Sequence, residues 1–269
     1  MDWAGRLKAQ LRSRAEALLA TTPESGYRSR GTPPTVLFTP APNEASHGNF
    51  FGPSWSAIQQ NAHWKSRLSK AHAQRQALPL QYQSNACETD SSNSSDALLM
   101  NVVCAPGAST VLANILGASP IDAVPELGWK ARVKLESGKD DETEVDMKLG
   151  DVLIEAKLTE ATFTECPKIH VCKYAALTSV FDVDLLPGTA SSFYGYQLIR
   201  NVLAAVQHDL KFCVLLDSRR PDLLSEWWAV HTAIINGDLR RRCSVHFWQE
   251  IAAALAKPHR EFLDLKYGL

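Results

Sequence analysis

The 269-residue chain lacks the long apolar runs that mark membrane and secreted proteins. It has no stretch of about 18 uncharged apolar residues, the length that a membrane-spanning helix requires. Its opening segment, MDWAGRLKAQLRSRAEALLA, has the pattern of an amphipathic helix and lacks the apolar block of a signal peptide. We therefore expect a soluble, cytoplasmic protein that does not enter a membrane.

Three further absences narrow the classes of chemistry. The six cysteines include no CxxC pair, so we expect reduced and largely buried thiols. The formal net charge of -1 excludes a strongly basic coat for nucleic acid, although it leaves room for a local basic patch. The chain has no G-x-S-x-G motif and no glycine-rich loop that would cradle phosphate. Serine-nucleophile and P-loop chemistry are excluded on this ground.

The organisation of the chain changes near residue 95. Before it, the pattern predicts a helix at about 2–20, an extended loop, and a basic helix from Pro53 to Gln76. Ser94 or Ser95 is predicted to cap the next helix. We therefore predict a helical and loop extension over 1–94, followed by a separate domain over 95–269.

From residue 96 the elements alternate in a regular way. Two short helices broken at Pro106–Gly107 are followed by three strands, a helix, a strand, a helix, a strand and a last helix. The first strand is predicted at 129–137 and the two middle helices at 189–208 and 221–235. The last strand is predicted around 243–248 and the last helix at 249–256. This order predicts α/β layers on one mixed sheet.

The segment ETEVDMKLGDVLIEAKL, residues 142–158, alternates polar and apolar residues on both sides of Gly150–Asp151. A hairpin with these two residues as its loop places Leu149 opposite Val152. A three-residue loop would mix polar and apolar residues on both faces, so the pattern favours an even loop. A four-residue loop keeps the faces but shifts the pairing, and both even loops bring the acids together.

The two-residue register places Asp146 across from Glu155, and Glu144 across from Lys157, all on one face. Opposed like charges destabilise a sheet by up to about 1 kcal/mol when exposed, and by more when buried. A divalent cation relieves this repulsion, because Mg²⁺ takes one or two carboxylates together with waters and phosphate oxygens. The alternative is a solvated polar face with an ion pair between Glu144 and Lys157.

The acid in TEVD (Asp146) and the E-x-K in LIEAKLTE (Glu155 and Lys157) resemble the motif of the PD-(D/E)XK nuclease superfamily. Its core is helix, three-stranded antiparallel meander, helix and strand, with one acid on the second strand and E-x-K on the third. Segments over about 90–250 are similar to bacterial restriction-endonuclease-like proteins. These segments are SSDALLMNVVCAP, IEAKLTEATF, YQLIRN and VLLDSRRPDL.

The resemblance implies a restriction-endonuclease-like α/β/α core and a metal-dependent endonuclease that hydrolyses phosphodiester bonds, in DNA rather than RNA. Asp146 and Glu155 would bind Mg²⁺ or Mn²⁺, with the backbone carbonyl of Ala156 nearby. Lys157 would assist the attacking water and stabilise charge on the phosphoryl group. The alternative is a catalytically inactive nuclease-fold protein that binds nucleic acid or a protein partner. A homodimer is a further expectation.

Two positions that the resemblance assigns have alternatives, and a third departs from the family pattern. Gln197 is the candidate for the polar residue that many members carry on the helix after the motif, and an exposed helical glutamine is the alternative. The acid that members often place on the first core helix has Asp96 and Glu126 as candidates, which otherwise are an N-cap and a loop residue. No proline precedes Asp146, a position at which the superfamily pattern is loose.

Two other groups of residues suggest binding. Lys65, Arg67 and Lys70 of the predicted basic helix are candidates for binding nucleic-acid phosphates, and a solvated helix face is the alternative. Some superfamily members hold an iron-sulfur cluster with four cysteines, but a buried thiol is the simpler interpretation of Cys213 in its apolar strand. The cysteines that such a cluster would use here are Cys166, Cys172, Cys213 and Cys243.

Overall fold

The computed structural model describes residues 2–269. The helices are α1 (Trp3–Thr21), α2 (Gly52–Gln60), α3 (Ala62–Arg67), α4 (Ser95–Cys104), α5 (Ala108–Leu116), α6 (Lys168–Val171), α7 (Leu177–Val180), α8 (Tyr196–Gln207), α9 (Pro221–Thr232), α10 (Gly237–Arg242), α11 (Trp248–Ala254) and α12 (Lys257–Tyr267). The strands are β1 (Ser25–Arg28), β2 (Val36–Thr39), β3 (Glu126–Lys130), β4 (Val133–Lys134), β5 (Asp140–Asp141), β6 (Glu144–Leu149), β7 (Val152–Ala156), β8 (Cys166–Pro167), β9 (Ser192–Phe193), β10 (Lys211–Leu216) and β11 (Cys243–Phe247).

The chain folds into two compact units. One contains the residues up to Ile115 together with Trp248–Leu269, and the other contains Leu116–Phe247. The boundary predicted between residues 94 and 95 falls inside the first unit. The first unit is therefore built from both ends of the chain.

The first unit is mainly helical. Helix α1 confirms the predicted helix at 2–20: the Asp2 side chain accepts from the Gly5 N–H, and Leu7, Leu11 and Ala15 are buried. The predicted helix from Pro53 to Gln76 is wrong, because α2 ends at Gln60 and α3 covers only Ala62–Arg67. Asn61 separates them with an extended backbone, and its side-chain oxygen accepts hydrogen bonds from the N–H groups of His63 and Trp64 in the first turn of α3. Asparagine is a preferred N-cap residue.

The two helices that follow the predicted cap are confirmed. The Ser94 hydroxyl oxygen accepts a hydrogen bond of 3.1 Å from the Ala97 N–H, and α4 ends at Cys104 before Pro106–Gly107. Within residues 2–269, no single helix has the length and apolar composition to span a membrane. Helices α4 and α5 reach that length and composition only when taken together, and they are bent by 103° relative to each other.

The second unit contains a five-stranded mixed sheet in the order β11-β10-β7-β6-β3. Strands β3, β6 and β7 form an antiparallel meander, and β10 runs parallel to both β7 and β11. This topology confirms the predicted α/β class with one mixed sheet. Its core includes the apolar side chains of α8 and of β10, with the buried indole of Trp227 from α9.

Several elements of the structure differ from the prediction. The first strand of the sheet is Glu126–Lys130 rather than 129–137, because Arg132 has a left-handed φ of 50° and β4 then pairs with β5. Helix α8 begins at Tyr196 rather than near 189, after Gly195 with a φ of 70°. A further helix, α12, follows the predicted last helix.

Candidate active site

The hairpin of β6 and β7 has the predicted two-residue loop. Leu149 lies opposite Val152, and the pairing continues to Met147 opposite Ile154. Gly150 has a φ of 56°, and a Cβ atom there would lie 2.6 Å from the carbonyl oxygen of Ser119. Glycine is therefore required at this position both by the left-handed backbone and by the close approach of a neighbouring segment. The pairing confirms the register predicted from the alternating sequence.

The structure brings Asp146, Glu155 and Lys157 together just beyond this paired stretch. The Ala156 N–H donates a hydrogen bond of 2.9 Å to Oδ2 of Asp146. The Lys157 ammonium lies 2.8 Å from Oε1 of Glu155. Glu155 is only 1% exposed and Lys157 only 5%. The alternative of a solvated polar face is therefore wrong for these two residues.

Helix α8 supplies a partner for Glu155 that the sequence analysis missed. The side-chain amide of Asn201 donates a hydrogen bond of 2.7 Å to Oε2 of Glu155. Its own oxygen accepts from the Arg200 guanidinium at 2.9 and 3.2 Å, and Asn201 is fully buried. Gln197, the predicted residue, instead accepts a hydrogen bond of 3.2 Å from the Thr164 hydroxyl. Gln197 and Asn201 are one helical turn apart and lie on the same face of α8. The spacing of four between these two polar residues was the sequence signal that could have pointed to Asn201.

The charge on Lys157 is set by two opposing effects. Burial lowers the pKa of its ammonium, whereas the carboxylates of Glu155, Glu160 and Asp146 raise it, and the net shift of the pKa is upward. The buried ring of Phe163 lies 5.6 Å from the Lys157 Nζ atom and adds a cation–π contact. Lys157 is consequently a positive charge beside these three carboxylates.

A buried arginine fixes the loop that follows Lys157. The Arg220 guanidinium donates to the carbonyl oxygens of Leu158 at 3.0 Å and Ala161 at 3.4 Å. It also forms an ion pair of 2.8 Å with Asp222. These contacts tie the loop after Lys157 to the start of α9. No sequence motif assigned a role to Arg220.

The oxygen donors near Lys157 fit a divalent cation in number and type. Among residues 2–269, no group of three or more His, Cys, Asp or Glu side chains is arranged to hold a metal ion. A site at Asp146 and Glu155 is therefore limited to two carboxylates. Mg²⁺ is commonly bound by one or two carboxylates plus waters and substrate oxygens, so hard oxygen donors in this number fit it. The same finding gives no support to a cysteine-held cluster in the described chain.

The remaining predicted residues form ion pairs. In the first unit, Asp96 binds the guanidinium of Arg67 at 3.0 Å and the ammonium of Lys70 at 2.8 Å. The Lys65 ammonium lies 3.0 Å from the carboxylate of Glu44.

In the second unit, Glu126 begins β3 and its carboxylate pairs with Lys148 at 2.7 Å. Phosphate binding by Lys65, Arg67 and Lys70 stays a prediction, and it would compete with these intramolecular pairs.

Comparison with known proteins assigns the family. A family model described as "Restriction Endonuclease associating with ARP" matches residues 37–268. No curated protein and no solved structure matches the chain. The matched range includes every strand of the five-stranded sheet, helix α8, and the three residues of the motif. The chain therefore belongs to the family of restriction endonucleases associating with ARP, as a restriction-endonuclease-like PD-(D/E)XK protein.

Proposed function

We propose that this protein hydrolyses phosphodiester bonds in DNA with a divalent cation, Mg²⁺ or Mn²⁺, at Asp146 and Glu155. The family membership supports a nuclease, and the preference for DNA over RNA rests on the restriction-endonuclease description of the family. The observation that carries the proposal is the burial of Glu155 between two donors, the Lys157 ammonium and the Asn201 amide. A buried acid held in this way has a defined orientation rather than the freedom of a surface side chain.

Glu155 retains acceptor capacity for a cation. A carboxylate offers about four acceptor sites, and the two donors on Glu155 each contact a different oxygen. Asp146 is partly exposed, and one of its oxygens accepts from the Ala156 N–H. A divalent cation bound to these carboxylates would polarise the phosphate and lower the pKa of a water.

Lys157 and Asn201 have separate roles in this proposal. The Lys157 ammonium, fixed by Glu155, would donate to a phosphoryl oxygen on which negative charge develops. Asn201 would not touch the substrate, because its two ends are engaged by Glu155 and Arg200. Asn201 is thus a positioning residue, and its effect on the reaction would pass through Glu155.

A panel of labelled single-stranded and double-stranded DNA and RNA, incubated with Mg²⁺, Mn²⁺ or EDTA, tests the proposal. We expect DNA cleavage that requires the metal and is lost in Glu155→Gln. Calorimetric titration with the same metals is run beside it. Nucleic-acid binding with neither metal binding nor cleavage would overturn the proposal and favour the catalytically inactive alternative.

A further inference from the structure

Helix α8 carries a buried positive charge without an acidic partner. Arg200 is only 3% exposed. Among residues 2–269, its guanidinium forms no ion pair with a carboxylate. Taking a charge out of water costs free energy unless an opposite charge or other polar groups replace the water, and buried charges in proteins are therefore paired or bound to a ligand. Arg200 is consequently a candidate for pairing with an anion that comes from outside the chain.

The hydrogen bonds of Arg200 leave one end of its guanidinium open. Nε and Nη2 donate to Oδ1 of Asn201 at 3.2 and 2.9 Å, and Nη2 also donates to the carbonyl oxygen of Glu144 at 2.8 Å. Both acceptors are neutral groups. In the described part of the chain, nothing accepts from the two N–H groups of Nη1. A guanidinium has five N–H donors in a planar fork, so these two remain for an acceptor outside the chain.

The Asp141 carboxylate is close enough to be affected by the charge of Arg200, but its oxygens are occupied by other donors. Oδ1 accepts from the Thr143 N–H at 2.9 Å, and Oδ2 accepts from the Tyr174 hydroxyl. Burial raises the pKa of Asp141, whereas the hydrogen bonds from Thr143 and Tyr174 and the charge of Arg200 lower it, and the net shift is downward. Asp141 thus stays ionised near Arg200 without closing the open end of the guanidinium.

Arg200 lies beside the acids of the candidate active site. The Asn201 side chain accepts from Arg200 and donates to Oε2 of Glu155 at 2.7 Å. Glu144, whose carbonyl oxygen also accepts from Arg200, precedes Asp146 by two residues on β6. Two residues of a strand span about 7 Å and return to the same face. This offset along β6 is similar to the step between successive phosphates of one DNA strand.

We propose that Arg200 is a substrate-binding residue whose Nη1 group donates to an oxygen of the phosphate next to the one that is cleaved. This inference rests on the proposed function, which supplies the DNA strand. The contact is a charge-assisted hydrogen bond, and such bonds are about twice as strong as those between neutral groups. Phosphate contacts of this kind fix the register of a nucleic acid without reading its sequence. Lys157 acts on the reacting phosphoryl group, whereas Arg200 holds the strand beside it.

The first test removes the charge of one phosphate at a time from the substrate. A labelled DNA duplex carries a single neutral methylphosphonate, and the rate of cleavage at each unmodified bond is measured with Mg²⁺. We expect the wild type to cleave one of the two bonds that flank the methylphosphonate about tenfold more slowly than in the unmodified duplex, the loss expected for one charge-assisted hydrogen bond. In Arg200→Gln this difference should disappear, because the cation that pairs with the missing charge is absent.

The second test counts phosphate contacts through the salt dependence of binding. Fluorescence anisotropy of a labelled duplex in EDTA gives the affinity between about 50 and 200 mM salt without cleavage. Arg200→Gln should lower the slope of log affinity against log salt concentration by about 0.9 in magnitude, the value for one contact with duplex DNA. Arg200→Lys keeps the charge and should retain the slope. Asn201→Ala is the matched control, because it removes the hydrogen-bond partner of Arg200 but not its charge, and it should also retain the slope.

These measurements separate substrate binding from a purely structural role of Arg200. If Arg200 only held Asn201 in place, Arg200→Gln and Asn201→Ala would lose activity alike and would have equal salt slopes. The methylphosphonate would then slow neither flanking bond in the wild type, and this result would overturn the inference. Because that measurement uses the wild type, it remains decisive even if Arg200→Gln does not fold.

The outcomes also separate this inference from the proposed function. Metal-dependent cleavage with no effect of the methylphosphonate on either flanking bond would remove the role of Arg200 and leave the nuclease proposal standing. Absence of both binding and cleavage of DNA would overturn both. Slower cleavage at one flanking bond that disappears in Arg200→Gln, together with the smaller salt slope of that variant, would support the inference.

Discussion

The Asn201 amide and the Glu155 carboxylate are joined by a hydrogen bond of 2.7 Å in the buried interior of the second unit. The other oxygen of Glu155 accepts from Lys157 at 2.8 Å. Helix α8 and the end of strand β7 thus determine the orientation of this acid together. An acid with only one of these partners would be free to rotate, and one buried oxygen would lose its donor.

Replacing Asn201 by alanine should therefore reduce activity through Glu155. Loss of a residue that orients a metal ligand typically lowers metal affinity or activity by about 10–100-fold. Gln197→Ala is the matched control, because Gln197 lies one turn earlier on α8 and contacts Thr164 instead of Glu155. We expect the control to change the rate much less, because Gln197 makes its contact with Thr164. Initial rates over a range of metal concentrations check this, and equal losses in the two variants would contradict the assignment.

Replacing Lys157 by alanine should separate binding from chemistry. In the proposal, Lys157 stabilises negative charge on a phosphoryl oxygen and does not bind the metal. Calorimetry of the variant should therefore show metal binding close to that of the wild type. Cleavage should fall by about 10²–10³-fold, the usual loss when one donor to a developing oxyanion is removed. Lys173→Ala, at an exposed lysine of the same unit, controls for the loss of a positive charge. Cleavage at the wild-type rate in Lys157→Ala would refute the role.

The hairpin and its register could be predicted from sequence because two constraints coincide. The alternation of polar and apolar residues assigns each side chain to one face of the hairpin, and Gly150 followed by Asp151 can adopt the backbone conformation of a two-residue loop. Burial of Glu155 could not be predicted in this way. A polar residue on one face of a strand is compatible with solvent or with a covering helix, and only the packing of α8 decides between them.

The choice between Gln197 and Asn201 shows a second limit. Both residues are polar and four positions apart, so they lie on the same face of α8 and the helical period cannot separate them. Which turn of the helix reaches Glu155 depends on the start of α8 after Gly195, which lies later than predicted. The ion pairs of Lys65 and Arg67 were missed for a similar reason, because their partners are 21 and 29 residues away in sequence.

The ion pairs of Asp96 predict a pH-dependent stability for the first unit. Burial raises the pKa of Asp96, but Arg67 and Lys70 lower it more, and the net shift is downward. The native state then binds a proton at Asp96 less readily than the unfolded chain does. The contribution of the ionised Asp96 to the free energy of unfolding is therefore complete above the ordinary aspartate pKa of about 3.9. It is lost as the pH falls through the lower pKa of the folded state.

Asp96→Asn tests this contribution. The change leaves the largely buried guanidinium of Arg67 without its carboxylate, and breaking a buried pair costs about 3 kcal/mol of unfolding free energy. Urea unfolding of both proteins should show this difference at pH 7 and a smaller difference below about pH 4. Asp122→Asn, at an exposed acid, should cost less than about 0.5 kcal/mol. A difference that does not vary with pH would show that the charge of Asp96 is not the cause.

Asp146 offers a test that joins the hairpin geometry to the proposed chemistry. Asp146→Asn removes the repulsion of Glu155 and also part of the attraction for Lys157, and asparagine can still accept from the Ala156 N–H. Because these two changes oppose each other, we expect the metal-free melting temperature to be unchanged or slightly raised. Mg²⁺ or Mn²⁺ at 100 times its dissociation constant should stabilise the wild type by about 2.7 kcal/mol through preferential binding to the folded state. The variant should gain much less and should lose metal-dependent cleavage. Thermal melts of the wild type and Asp146→Asn, with and without metal, measure these shifts in melting temperature.

Glu136→Gln is the charge control for the same melts. A metal-induced shift of equal size in the wild type and Asp146→Asn would exclude Asp146 from the metal site.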